Sequence, residues 1–413
     1  MSVDDALTRL AREESGRVLA LLAGRLGDLD LADDAVQDAL LEAVRTWPTQ
    51  GVPDNPAAWL LTVARRKAYD RIRRTTSARR RTTAAAYDLV EAAEPAAGRG
   101  LVEEGAGRME VADEHLRLVL LCCHPALNQD AQVALTLRLV GGLSTAEIAA
   151  AYVVPEATIT QRVVRAKRKI RDAGIPLSIP DALADRVEAL LTVLYLIFNE
   201  GYLSRSSPDL VRVDLADEAI RLTRLVRELL PDSAEVGGLL ALELYQRARF
   251  ATRVDGAGDL VLLERQDRTR WDREQIAEAN RLLAAVLADG SAGTFRLQAV
   301  IAAQHANART YADTDWPAIA AAYARLDEHT GSAVVRLNRA VAVAEADGPH
   351  AGLRLLETIE GLDDFYLLHA TRAELLARAG EGEAARVAYT RARALTDNPA
   401  EQRHLDRRIA AQP

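Results

Sequence analysis

Hydrophobic positions recur along the chain at helical spacing. In the segment 156–171, Ile159, Val163, Ala166 and Ile170 are separated by four, three and four residues and form one apolar stripe. Ala, Leu, Arg and Glu dominate the sequence, and aromatic residues make up only 4% of it, so the residues that strands favour are scarce. The pattern predicts an all-α fold.

Turn-forming residues divide the helical pattern into segments. Breaks are expected at Gly27–Asp30 and at a loop over Thr46–Pro56, which contains three prolines. Residues 82–110 are rich in Ala, Gly, Thr and Glu without apolar periodicity and are typical of a flexible linker. Gly174, Pro176 and Pro180 mark a second boundary at 172–181. A length of 413 residues agrees with two or three domains.

The last part of the chain contains an internal repeat. Blocks of 34 residues, His329–Leu362 and Asp363–Thr396, place Ala351 over Ala385 and Leu355 over Tyr389. Small and bulky residues in the second block resemble a tetratricopeptide repeat (TPR), in which helix pairs pack closely; they are Ala373, Gly380, Ala385, Tyr389 and Ala392. Segments 233–250, 273–311 and 316–329 are interpreted as degenerate hairpins of the same kind. A generic helical bundle is the alternative.

One segment has the pattern of a helix-turn-helix. Ser144 followed by Glu147 predicts a capping box that starts a short helix, a tight turn is expected at Tyr152–Val154, and Pro155 is suited to the first position of the next helix. Opposite the apolar stripe, the second helix is polar and basic. This geometry favours insertion into the DNA major groove, although such a helix pair could also bind a membrane or an acidic protein.

Positive charge is concentrated in two places. The segment from Arg65 to Arg81 contains nine Lys/Arg and one acid, and the segment from Arg162 to Arg171 contains six Lys/Arg and no acid. Since the whole chain carries −8 and these two segments carry +8 and +6, the remainder carries −22. Two basic segments in an otherwise acidic chain indicate DNA binding by the amino-terminal half, whereas solvated helix faces are the plainer alternative.

These segments together resemble the extracytoplasmic-function (ECF) sigma factors. The stretch LVGGLSTAEIAAAYVVPEATITQRVVRAKRKIR is similar to region four of that family, while DLADDAVQDALLEAVRTWP and PAAWLLTVARRKAYDRIRR are similar to the polymerase-binding and promoter-melting helices of region two. The tail, with LYLIFNEGYLS and LLERQDRTRWDRE, resembles the subgroup with a carboxyl-terminal TPR extension. The resemblance implies region two at 10–75, a linker at 76–112, region four at 113–171 and the extension at 181–413.

The resemblance also implies roles for individual residues. Core RNA polymerase is expected to bind an acidic and apolar helix through Asp33, Asp34, Val36, Gln37, Asp38 and Leu41. Contacts to the upstream promoter element fall to Thr158, Thr160, Gln161, Arg162, Val164, Arg165, Arg168 and Lys169. Recognition and melting of the downstream element fall to Trp47, Asn55, Trp59, Arg65, Arg66, Lys67, Arg73 and Arg74. The two tryptophans are alternatively core residues, and Arg66 stands where relatives often have Asn.

The sequence lacks the motifs of several common enzyme classes. It contains no HExxH, Walker GxxxxGK[ST] or GxSxG motif, so we expect no enzyme activity, catalytic residue, cofactor or metal. Cys122 and Cys123 adjoin each other and are expected to be buried structural residues. The segment Asn199–Tyr202 is either a helix terminus with Gly201 as its cap or a contact that fixes the tail against the two amino-terminal domains. The acidic amino terminus and the short apolar run Ala189–Phe198 predict a cytoplasmic protein without a membrane segment.

The expected partners are core RNA polymerase and promoter DNA. The acidic extension is predicted to regulate activity, by binding a protein partner or by a contact within the chain. One alternative function is a helix-turn-helix regulator with a TPR sensor that never joins polymerase. Another is a TPR scaffold in which the DNA-binding segment is incidental.

Overall fold

A computed structural model describes residues 3–82, 114–152, 154–179, 183–202, 213–255, 261–288, 293–396 and 399–412. These residues form helices and no β-strand, which confirms the all-α fold. They group into two compact units. Unit 1 consists of the described residues of Met1–Glu200 and Asp217–Leu229, and unit 2 consists of those of Gly201–Ser204, Pro208–Ala216 and Leu230–Pro413.

The first four helices of unit 1 are α1 (Val3–Arg9), α2 (Ser15–Leu26), α3 (Leu29–Gln50) and α4 (Pro56–Thr82), with a π-helical turn at Leu10–Glu14. Gly27 ends α2 with a φ of +65°, a conformation that glycine adopts without steric cost. The Asp28 carboxylate then accepts a hydrogen bond from the Leu31 amide at 3.0 Å and caps α3. The break predicted at Gly27–Asp30 is therefore present.

The remaining helices of unit 1 follow the second sequence segment. They are α5 (114–122), α6 (Gln129–Leu135), α7 (Thr145–Tyr152), α8 (Glu156–Asp172), α9 (Leu183–Tyr202) and α10 (Val213–Leu229), the last two of which extend into unit 2. A π-helical segment at Thr136–Val140 approaches the amino-terminal helices closely. Gly142 has a φ of +69°, and a Cβ there would overlap the carbonyl oxygen of Ala11. The two motif-bearing segments thus pack into one unit.

Unit 2 is a succession of packed helices. They are α11 (Ala234–Arg247), α12 (Arg273–Val286), α13 (Thr294–Asn307), α14 (Trp316–Thr330), α15 (Ala333–Asp347), α16 (Pro349–Leu356), α17 (Tyr366–Arg378), α18 (Gly382–Ala394) and α19 (Pro399–Ala410). Short 3₁₀ turns lie at Phe250–Thr252, Leu263–Arg265 and Arg268–Arg270. The predicted hairpins 233–250 and 316–329 are each a single helix, whereas 273–311 holds the pair α12 and α13.

The repeat has a period of 33 residues rather than 34. Helices α14, α16 and α18 begin at residues 316, 349 and 382. In α16 the buried residues are therefore Gly352 and Leu356, and the predicted Ala351 and Leu355 are only partly buried. A Cβ on Gly352 would lie 2.6 Å from the Cβ of Ala344, so the crossing of α15 and α16 requires glycine there.

The last predicted unit agrees with the structure. Four of its five marked positions are buried, namely Ala373, Ala385, Tyr389 and Ala392, and Gly380 makes the turn between α17 and α18 with a φ of +82°. The Tyr389 hydroxyl donates to Glu374 at 2.7 Å, which satisfies the polar end of an otherwise buried ring. The small and bulky positions therefore pack as the sequence pattern requires.

Two predicted boundaries differ from the structure. The helix α3 continues to Gln50 with Pro48 inside its last turn, so the loop is 51–55 and not Thr46–Pro56. Pro48 removes one helical hydrogen bond, a loss that the burial of Trp47 in the same turn offsets. Residues 76–82 of the predicted linker are helical, and the rest of the linker lies outside the described residues.

Gly201 is not a helix cap. It lies inside α9, and a Cβ there would be 2.5 Å from the backbone nitrogen of Ala216. The glycine instead permits the end of α9 to approach the start of α10. The boundary expected at 172–181 falls between α8 and α9, and both helices belong to unit 1 for most of their length.

Candidate nucleic-acid interface

The capping box positions the first helix of the helix-turn-helix. The Ser144 hydroxyl oxygen accepts from the Glu147 amide at 3.1 Å, and the Glu147 carboxylate accepts from the Ser144 amide at 2.7 Å. These bonds satisfy two backbone donors at the start of α7. Despite the cost of partial burial, the hydrogen bonds from Ser144 and the nearby Arg12 guanidinium lower the pKa of Glu147. The cap therefore holds a charged carboxylate at a helix amino terminus, where the helix dipole favours it.

The second helix presents one face to the core and one to solvent. The predicted stripe of Ile159, Val163, Ala166 and Ile170 is buried. Pro155 is the residue before α8 rather than its first residue, a shift of one position. On the outward face, Thr160, Gln161, Val164, Arg165, Arg168 and Lys169 are exposed, and Thr158 is partly buried. The sequence thus placed the two faces of α8 correctly.

The cations of α8 differ in their partners. Arg162 pairs with Asp130 at 2.9 Å and Arg168 pairs with Asp172 at 3.1 Å. Arg165 and Lys169 make no ion pair within the described part of the chain. Their charges are therefore available for phosphate groups or base edges without breaking an existing contact.

A second basic face lies on α4. Arg65, Arg66, Arg73 and Arg74 are exposed and Lys67 is partly buried. Lys67 and Arg66 contact Glu42 at 2.5 and 2.7 Å, and their hydrogen bonds and charges, that of Lys67 first, lower the pKa of this carboxyl group. Arg73 pairs with Asp70, whereas Arg65 and Arg74 have no ion pair among the residues described.

Two apolar residues on this face were missed by the sequence reasoning. Tyr69 is 57% exposed and Ile72 is also exposed, and both lie between the basic positions of α4. Tyr69 follows Arg65 by four residues and Ile72 follows Tyr69 by three, which places all three on the same outward side of the helix. This helical spacing is the signal in the sequence that indicates them.

The predicted downstream residues outside α4 have structural contacts. Trp47 is only 2% exposed, and its ring packs edge-to-face on Trp59 at a centroid distance of 5.4 Å. The Trp47 ring is therefore part of the core in this structure, as the alternative interpretation held. Trp59 is partly buried, and the Asn55 side chain accepts from the Ala58 amide at 3.0 Å, which caps α4.

The acidic helix α3 has a narrower outward face than the sequence suggested. Val36 and Asp33 are buried, and the Asp33 carboxylate contacts Lys167 of α8. Asp34 is exposed, Asp38 is partly buried, and both pair with Arg71. Burial alone would lower the pKa of Arg71, but the hydrogen bonds and charges of the two carboxylates raise it. Leu41 is 68% exposed. Gln37 is partly buried and donates a long bond to Asp33 at 3.4 Å.

Ion pairs join the two motif-bearing segments. Lys167 of α8 contacts both Asp33 and Asp30, the latter at 3.7 Å, and Arg171 contacts Asp30 at 2.5 Å. Both side chains of the Lys167–Asp33 pair are almost buried. Two cations of the basic segment in α8 are therefore paired with carboxylates of α3, and of the two only Arg171 remains exposed to solvent.

The cysteine segment is a buried structural element. Cys122 and Cys123 are both buried with free thiols, and burial raises the pKa of Cys123 to about 12. The Gln132 side chain donates to the carbonyls of Cys123 and His124 at 3.3 and 3.0 Å. In the described ranges no group of three His, Cys, Asp or Glu side chains has the geometry of a metal site. Within the same ranges, no helix has the length and apolar character needed to cross a membrane.

Family models match three segments of the chain. Residues 10–78 match Sigma-70 region 2, residues 117–170 match Sigma-70 region 4, and residues 186–287 match a family of unknown function, DUF6596. The first two segments contain α3 with α4, and α7 with α8. They coincide with the two basic surfaces described above.

Whole-protein similarity agrees with these matches. An uncharacterized protein of Rhizobium meliloti strain 1021 is 41% identical over 395 residues, which cover 94% of this chain and 92% of that protein. The ECF RNA polymerase sigma factor SigK of Mycobacterium ulcerans is 28% identical, over 41% of this chain and 85% of its own length. The ECF RNA polymerase sigma-E factor of Escherichia coli K12 is 29% identical, over 35% and 74%. No solved structure matches the chain.

Proposed function

The chain belongs to the extracytoplasmic-function sigma factors, and we propose how its surfaces divide the work of such a factor. The outward face of α8 binds the upstream promoter element. The basic face of α4 and the loop 51–55 bind and open the downstream element. The outward face of α3 binds core RNA polymerase. The protein acts in the cytoplasm and performs no catalysis itself.

The observation that carries this proposal is the exposure of two cations on α8 that are not engaged in ion pairs among the described residues. Arg165 and Lys169 are exposed and form no ion pair in the part of the chain that the structure describes, on the helix that follows a fully formed capping box. The buried stripe on the other side of α8 fixes which face points outward. A second helix with this arrangement suits the major groove, where Arg165 and Gln161 reach base edges.

The α4 surface is suited to binding a single DNA strand that has separated from the duplex. Single-stranded nucleic acid is bound by a positive groove together with aromatic rings on which bases stack. Tyr69 is the exposed aromatic residue among Arg65, Arg66 and Arg73, so we assign the stacking role to Tyr69 instead of Trp47. Trp59 is partly buried and packs against Trp47, so less of its ring is open to such a contact.

The α3 surface suits a protein partner. Leu41 and Val44 are exposed apolar residues beside Asp34 and Asp38. Exposed apolar side chains with a charged rim are typical of protein interfaces. We therefore centre the polymerase contact on Leu41, and the buried Val36 and Asp33 support this surface from below.

We propose that regions two and four keep their predicted bounds, 10–75 and 113–171, and that the extension, which follows from residue 181, regulates the factor. A test of the extension must keep α9 and residues 217–229 of α10, because these belong to unit 1. A chain ending after Leu229 should still direct core polymerase to a promoter, with an altered transcript yield. An unchanged yield would assign the extension a passive role.

The proposed function is tested by run-off transcription with purified core polymerase and this protein as the sole specificity factor. We expect transcripts that begin at a defined site. Leu41→Glu should reduce transcript yield and the amount of core enzyme that co-purifies, while Leu287→Glu, at an exposed position of unit 2, should leave both unchanged. If no specific start is made, the protein is a DNA-bound regulator that does not serve polymerase.

A further inference from the structure

Unit 2 contains three arginines in an unusual setting for a helical domain. Arg253 and Arg268 are 4% and 6% exposed, and Arg249 lies beside them. None of the three forms an ion pair with a carboxylate of the described residues. Buried charges are normally paired, because removal from water without a counter-charge is costly.

The three side chains belong to one cluster. The Arg249 guanidinium donates to the Tyr202 hydroxyl at 2.8 Å, and the Arg253 guanidinium lies 3.2 Å from the centre of the same ring. Arg249 and Arg268 lie 5.8 and 4.7 Å from the centre of the Trp271 ring. The aromatic faces stabilise the cations partly.

The edges of the guanidinium groups are not satisfied by these rings. An aromatic ring contacts the face of a guanidinium, whereas its N–H groups point outward in the plane. Four buried guanidinium nitrogens have no hydrogen-bond partner, namely Nε of Arg249, Nε and Nη1 of Arg253, and Nη2 of Arg268. Arg268 uses Nη1 to donate to the carbonyls of His305 and Ala308 at 2.6 and 2.9 Å, which holds it in place.

Another arginine of the same unit shows the usual arrangement. Arg296 is also buried, but its guanidinium contacts the Glu235 carboxylate at 3.0 Å. Burial without such a partner lowers the pKa of Arg253 to about 9 and that of Arg249 to about 10. Arginine keeps its proton at neutral pH, so Arg249 and Arg253 remain charged. Their pKa values are lowered because that charge is buried without a counter-ion.

We propose that Arg249, Arg253 and Arg268 form a binding site for a small ligand that carries a multiply charged oxyanion, either a phosphate or a polycarboxylate group. The planar N–H edges match oxyanion geometry, and bidentate arginine contacts are strong when water is excluded. Tyr202 and Trp271 contact the guanidinium groups, and the N–H groups that remain without a partner are buried within the same cluster. The site lies in the extension, and its binding can be measured without polymerase or DNA.

The test is the melting temperature of the full-length protein in sodium pyrophosphate and in sodium citrate, at an ionic strength held constant with NaCl. Saturating ligand should raise the melting temperature by ~5 °C, and a response to only one of the two identifies the group that is bound. Arg253→Met and Arg268→Met should abolish the shift. In NaCl alone Arg253→Met should melt above the wild type, because it removes an uncompensated charge.

Arg270→Met is the matched control, because Arg270 lies in the same segment but is exposed. It should keep the full ligand-induced shift. The proposal is overturned if neither anion raises the melting temperature. It is equally overturned if Arg253→Met retains the shift, because the anions would then be bound by the exposed basic helices of unit 1.

Discussion

The basic residues of unit 1 and the arginine cluster of unit 2 occupy contrasting environments. On α4 and α8, cations such as Arg65 and Arg165 are exposed, and the nearly buried Lys167 is paired with carboxylates. In unit 2, Arg253 and Arg268 are buried against aromatic rings without a carboxylate partner within the described residues. Positively charged side chains are therefore exposed or paired with carboxylates in the first case, and buried without a carboxylate in the second.

The contrast separates two kinds of anion recognition. Exposed, mobile cations bind a polymer of phosphates whose position along the protein can change, and salt weakens this binding strongly. Buried cations in fixed planes suit one discrete anion and are screened less. The exposed cations of unit 1 are thus suited to binding DNA, and the buried arginine cluster of unit 2 is suited to binding a small anion.

The largest expected effect concerns the paired cation of unit 1. Lys167→Met leaves the Asp33 carboxylate nearly buried without its main counter-charge, so unit 1 should lose about 3 kcal/mol of stability. Calorimetric melting of the full chain measures this loss. The sign is opposite to that expected for Arg253→Met in unit 2.

Two controls sharpen this prediction. Lys169→Met, on the same helix at an exposed position, should change stability by less than about 0.5 kcal/mol. The double variant Asp33→Asn with Lys167→Met should recover most of the loss, since no buried charge is left unpaired. If Lys167→Met melts like the wild type, the pair does not hold α8 against α3.

A second effect concerns recognition of the upstream element. Arg165→Ala should weaken promoter binding by the polymerase complex by about 1–3 kcal/mol, which corresponds to a loss of roughly 5- to 150-fold in affinity. A gel shift on cognate duplex measures it. Arg270→Ala in unit 2 should leave affinity unchanged, and equal affinity of Arg165→Ala and wild type would remove Arg165 from the contact surface.

A third, smaller effect concerns His305, which lies next to the unit 2 arginines. Burial, together with the charges of Arg249 and Arg268, lowers the pKa of His305 to about 4. Because this pKa lies below that of an unfolded histidine, the fold loses stability as pH falls from about 6.5 toward 4. A bound oxyanion offsets the arginine charges and should raise the pKa of His305 by about one unit.

Histidine ring signals in NMR titrations measure this change. His115 of unit 1 is an internal control, because burial and the charges of Arg17 and Arg221 also lower its pKa to about 4. Its pKa should not respond to pyrophosphate. If both histidines respond equally, the anion acts through general screening and not through the arginine cluster.

Local patterns could be predicted from the sequence, but long-range partners could not. The capping box at Ser144 and the buried stripe of α8 depend on residues three or four apart, so their spacing was sufficient. The pair of Asp33 and Lys167 joins residues 134 positions apart, and nothing in the local pattern indicates it. The sequence likewise shows that Arg253 is charged but not that it lacks a partner.

The most direct test of the account is the salt dependence of promoter binding by the polymerase complex. The variant with Ala at Arg65, Arg74, Arg165 and Lys169 should lower the slope of log K against log salt concentration by about three to four, since each phosphate contact contributes roughly 0.9. The variant with Met at Arg249, Arg253 and Arg268 should keep the wild-type slope. An unchanged slope in the first variant, or an equal decrease in the second, would contradict the division between exposed DNA-binding cations and buried ligand-binding ones.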